Sequence, residues 1–87
     1  MRLRRSDVYF VIDDSGVARK VASPESLEPL REGFKQYARV IAGEDESVSI
    51  ETFRADGLVE ASKVHGTLGV PVGRSKKGVV FRVVEIE

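Results

Sequence analysis

Residues 29–43 read Pro-Leu-Arg-Glu-Gly-Phe-Lys-Gln-Tyr-Ala-Arg-Val-Ile-Ala-Gly, and the reading of this stretch decides the fold. Leu27, Leu30, Phe34, Tyr37 and Ile41 stand three, four, three and four residues apart. That spacing puts them on one stripe of a 3.6-residue helix, with Arg31, Glu32, Lys35 and Arg39 pointing elsewhere. Gly43 stands where a helix C-terminus takes its left-handed residue. Upstream, Ser23-Pro24-Glu25 has the hydroxyl, proline and acid of a helix start, although Pro29 lacks the N–H that an established helix would use. The pattern predicts one loose turn at 24–28 and then an amphipathic helix from Pro29 to Ala42, with Phe34 in the core.

Extended segments flank it on both sides. Val8-Tyr9-Phe10-Val11-Ile12 is β-branched and aromatic and apolar on both faces, as an interior strand is. Asp13-Asp14-Ser15-Gly16 is turn chemistry, so Val17 to Ala22 returns as the second arm of a hairpin. Downstream, Ser47 to Phe53 reads as a strand with Val48 and Ile50 on one face. Asp56-Gly57 is a two-residue hairpin signal, so Leu58 to Val64 is expected to pair back antiparallel. The competing reading there is a short helix capped by Asp56 and ended by Gly66, since Leu58, Ala61 and His65 share a helical face. Val70-Pro71-Val72 is expected only as an edge strand or an extended arm, because proline cannot donate to a ladder. Val79 to Ile86 is apolar on both faces and belongs in mid-sheet or in a subunit interface.

Composition narrows the class. At 87 residues the chain is expected to be one domain, 1–87, with no linker and no internal repeat. It has no cysteine, which excludes disulfides and thiolate metal sites. No apolar run is long enough to span a membrane, and no signal-type apolar region follows Arg2, Arg4 and Arg5, so a cytoplasmic protein is expected. The formal net charge of zero conceals a partition. Residues 21–60 carry four basic against nine acidic side chains, whereas no acid occurs from Ala61 to Val84. Such segregation can steer a partner or orient self-association.

Few motifs carry chemistry. His65 is the one histidine, and Lys63 and Gly66 beside it give no sign of a positioned nucleophile. A small enzyme built around His65 is therefore the last of three readings, and no catalytic residue is assigned. Asp13-Asp14 and Glu44-Asp45-Glu46 lack the alternation of a calcium loop, and no metal ligand is assigned. Gly69 to Ser75 has three residues between its glycines and then Arg-Ser, where a P-loop needs four and Lys-Ser/Thr, so no nucleotide or other cofactor is expected. Gly66-Thr67-Leu68-Gly69 matches a Gly-x-x-Gly backbone clamp, but that loop joins two helices and Pro71 and Gly73 forbid the second. What remains is the basic set Lys63, Arg74, Ser75, Lys76, Lys77 and Arg82, suited to phosphate contacts that do not depend on sequence.

The architecture expected is α+β: a mostly antiparallel sheet, ββα then ββ(β), with one amphipathic helix packed on one face. The leading functional reading is a non-enzymatic binding or assembly module that self-associates, as a homodimer, through Val80, Val84 and Ile86. Surface scaling leaves roughly a third of so short a chain's surface exposed, which favours a partner. The alternative is a small nucleic-acid-binding accessory protein using the basic turn 74–77.

Overall fold

A computed structural model describes residues 2–64 and 66–86. Its elements are β1 (Leu3–Ile12), β2 (Ala18–Val21), β3 (Gln36–Ala42), β4 (Val48–Arg54), α1 (Leu58–Val64), β5 (Leu68–Ser75) and β6 (Gly78–Ile86). The six strands form one antiparallel sheet in the order β2-β1-β6-β5-β3-β4. No helix among the described residues is long and apolar enough to cross a membrane. The first hairpin forms where expected. Asp13 Oδ1 accepts the Ser15 and Val17 amides at 2.9 and 3.0 Å, and Gly16 takes a φ of 81° to close the turn. β6, apolar on both faces, lies mid-sheet between β1 and β5.

The expected helix at 29–42 does not exist. Residues 22–35 form an irregular crossing segment with a turn at 32–33, and β3 begins at Gln36. Gly33 sits at φ 80°, outside the helical region, and breaks the run ahead of Phe34. Beyond it, the β-branched pair Val40-Ile41 favours a pleated strand. Leu27, Leu30 and Phe34 of the stripe lie in the crossing segment and only Tyr37 and Ile41 in β3, so the helical spacing is a coincidence. Tyr37, Ala38 and Val40 are buried, while Ile41, placed in the core by the helical reading, is 61% exposed. Phe34 is only half-buried.

The one helix among the described residues lies where a returning strand was the favoured reading and a short helix the competing one. Gly57 takes a φ of 125° and its carbonyl accepts the Ala61 amide at 3.0 Å, so Asp56-Gly57 opens a helix instead of turning a hairpin. The helical period lets Leu58 and Ala61 reach Tyr37 and Leu68 together, which strand alternation could not do. The order is thus ββββαββ, not ββα followed by ββ(β). Pro71 is also not at a sheet edge in the strand order: it pairs with Phe81 of β6, and only its β3 side is left without a ladder partner. β3 pairs with β5 only at Leu68 and Gly69, a bulge places Val72 as an extra residue, and Glu28 bridges Arg74 further along.

The sheet curls into a half-barrel. The β3–β4 hairpin reaches round to β2, where Arg19 bridges Ser47 and the Lys20 amide donates to Glu46 O at 2.5 Å. Its Val40, Val48 and Ile50 pack with Phe10, Phe81 and Val83 on the concave side. Phe10 and Phe81 stack as cross-strand partners, with ring centres 5.3 Å apart. Gly69 makes room for them: a Cβ there would lie 2.6 Å from Phe10 Cζ. On the outer face, α1 covers a second cluster of Tyr37, Leu68 and Ala61, with Phe53, Val70 and Ile86 at its margin.

Candidate functional site

The basic turn is a built hairpin tip. Ser75 and Gly78 are the last paired residues of β5 and β6, and Lys76 and Lys77 turn the chain between them. Ser75 Oγ accepts the Lys77 amide at 3.2 Å and lies 3.3 Å from Gly78 O, to which it donates. Gly78 is required, because at φ 145° its backbone presses on β1, and a Cβ would sit 2.0 Å from Ile12 O. Arg74 is anchored through its main chain, which exchanges two 2.9 Å hydrogen bonds with Glu28. Arg74, Lys76 and Lys77 are exposed, and Ser75 is half-buried.

The other two members of the sequence-derived set lie elsewhere. Lys63 is on α1, at the Leu68 end of β5, in an exposed pairing 3.7 Å from Glu60. The eight residues of β5 span roughly 25 Å, which separates it from the tip. Arg82 is committed to structure. Its Nε donates to Ser6 O at 2.7 Å, a terminal nitrogen lies 3.4 Å from Asp7 Oδ1, and the guanidinium sits over Tyr9, 5.5 Å from the ring centre. These contacts fasten a bulge in β1, where four steps from Arg5 to Tyr9 face two on β6.

What joins the tip is instead β2. Lys77 lines a groove of about 450 Å³ with Arg19, Lys20, Asp13 and Glu46. Lys20 Nζ donates to Gly43 O at 2.7 Å, which fixes it beside the acidic β3–β4 turn. In that turn Ser47 donates its hydroxyl and its amide to Asp45 Oδ1, at 2.5 and 3.0 Å, and these bonds hold the Asp45 carboxyl below its ordinary pKa, with Lys20 adding a smaller pull. Arg19 and Lys20 were missed because they are about 57 residues from Lys77 in sequence, a distance closed only by β1 pairing with both β2 and β6.

Val80 and Val84, expected at a subunit interface, are 2% and 4% exposed within the single chain, and Ile86 packs at the margin of the α1 cluster. His65 lies outside the described residues. Among those described, no three histidine or acidic side chains are gathered to hold a metal ion. No family model, no curated protein and no solved structure matches the chain.

Proposed function

We propose that the chain is a non-enzymatic binding and assembly module that pairs with a second copy of itself. The observation that carries this reading is the outer edge of β4. It ends the sheet order, and its ladder to β3 runs through seven consecutive pairs without a bulge. Val48–Arg54 contains neither proline nor lysine, and its two charges, Glu51 and Arg54, are of opposite sign. β2 approaches only its beginning, at Ser47 and Glu46. A two-fold axis at Thr52 extends the sheet across two copies as an antiparallel pair, with Thr52 facing its own counterpart and Ile50 facing Arg54 of the second copy. Threonine pairs are favourable across strands, whereas an axis one residue earlier would oppose two Glu51 carboxylates.

Sedimentation of the wild type and of Thr52→Lys tests this. Thr52 is exposed, so the lysine leaves the fold intact while setting two like charges across the axis. A wild-type dimer at micromolar concentration and a monomeric variant are expected. A monomeric wild type, or an equally dimeric variant, overturns the reading.

The convergence of Arg19 and Lys20 on Lys77 favours a second reading, in which the tip contacts nucleic-acid phosphate. Binding would then weaken with salt, and replacing Lys76 and Lys77 with alanine would flatten the log–log salt slope by about 2. Absence of wild-type binding at low salt removes it.

A further inference from the structure

The outer face holds a cleft that neither reading uses. Its floor is the middle of β6, at Arg82 and Val84, with Arg5 of β1 on one side, Val70 and Val72 of β5 on the other, and Leu58 of α1 at one end. Its volume is about 330 Å³, which is room for roughly ten non-hydrogen atoms at the ~30 Å³ a water occupies in the liquid. That is the scale of a small-molecule site, and the lining is of that kind: aliphatic walls with a few polar groups.

Two features of the backbone shape it. Both register shifts along β6's ladders fall at its walls, the β1 bulge just after Arg5 and the β5 bulge at Val72. A bulge bends its strand and re-aims a side chain. Here one leaves Val72 39% exposed beside the cleft. The other is held by Ser6, whose Oγ donates to Val83 O at 3.0 Å and whose carbonyl takes the Arg82 Nε–H.

The charges are one-sided. Two arginines line the cleft and no acidic residue does. Arg5 forms no ion pair with any described residue. Arg82 uses Nε for Ser6 O, and its contact with the fully exposed Asp7 takes one terminal nitrogen, which leaves further N–H groups of its five. Guanidinium forks match the oxygens of a carboxylate.

We propose that this cleft binds an aliphatic carboxylate of about eight carbons, with its chain along Leu58, Val70, Val72 and Val84 and its head group between Arg5 and Arg82. Octanoate titrated into the isotope-labelled protein tests it by amide NMR. Octanoate at millimolar concentration is expected to move the amides of Val70, Val72, Arg82 and Val84. Arg5→Gln, an exposed change that spares the fold, should weaken it about tenfold, the loss of one charge-assisted contact. Val72→Thr should weaken it severalfold with the head-group contacts intact. The proposal is overturned if octanoate moves none of these amides, if octanol or octylammonium binds as tightly, if propionate matches octanoate, or if either variant binds like the wild type.

Discussion

On the concave side Phe10, Ala38, Val40, Phe81 and Val83 close over one another, and Gly69 is held to a bare backbone so that the two rings can stack. The outer side is covered in two separate pieces, α1 over Tyr37 and Leu68 and the 22–35 segment over Gly73 beside the tip. Between and around these pieces lie the clefts lined by Arg82 and by Lys77. The difference teaches where each property resides. A face filled by its own strands has no room for a ligand, whereas a face roofed by short elements keeps gaps, and its cations line them. Arg82 shows the boundary, since the same side chain fastens the β1 bulge and lines a cleft.

The sharpest way to break this comparison is a pair of truncations. Phe81→Ala removes half of the concave stack and should cost about 3–5 kcal/mol. Phe34→Ala, in the crossing segment, should cost less than half as much, because its ring is only half-buried. Urea midpoints measure both, and equal losses would mean that the outer cover is as much core as the concave side.

A smaller effect is expected at the bulge. Arg82→Ala removes the Nε bond to Ser6 O and the face-on contact with Tyr9, at about 1–2 kcal/mol. Arg82→Lys keeps a cation without the Nε donor and should recover only part of that. Full recovery in urea melts would show that charge alone, not the fastening of the bulge, is what Arg82 supplies.

The smallest effect is at the acidic turn facing β2. Asp45 is fully exposed and its folded pKa is depressed, first by the Ser47 hydroxyl and then by the Ser47 amide. A depressed carboxylate contributes stability that is present above its unfolded pKa and lost as pH falls through the folded one. The turn should therefore loosen only in acid, below the ordinary aspartate range. Ser47→Ala should raise the Asp45 titration toward that range, as followed by its carboxyl NMR signal. An unmoved titration would assign the depression to some other group.

Several elements could be read from local chemistry because local chemistry makes them. The β1–β2 turn is closed by Asp13 and Gly16 alone, and the two-faced apolarity of Val79 to Ile86 points to mid-sheet or a subunit interface, the first of which β6 occupies. The basic tip was legible for the same reason, as a turn of lysines between two extended runs. Residues 29–43 were not. Leu30, Phe34, Tyr37 and Ile41 satisfy the helical period, and nothing local reveals that Tyr37 and Ala38 will be buried on opposite faces.

At residues 58–64 the favoured reading was a returning strand and the competing one a short helix, and the helix is what forms. Asp56-Gly57 serves a hairpin or a helix start equally, and the choice depends on Tyr37 and Leu68 waiting to be covered. The grouping of charges was also beyond local reading. Lys63 and Arg82 share a basic stretch with the tip yet lie apart from it, while Arg19 and Lys20 come from the other end of the chain.

The sequence by itself determined the β1–β2 and β5–β6 turns, the apolar two-faced strand at the C-terminal end and the antiparallel character of the sheet, because these follow from backbone freedom at glycine, side-chain capping and the pattern of apolar residues. Only the tertiary structure decided which apolar residues face the concave side, that α1 forms at 58–64, and which cations meet. Those outcomes depend on burial against partners far along the chain, and burial energy has no local signature that distinguishes a two-faced strand from a one-faced helix.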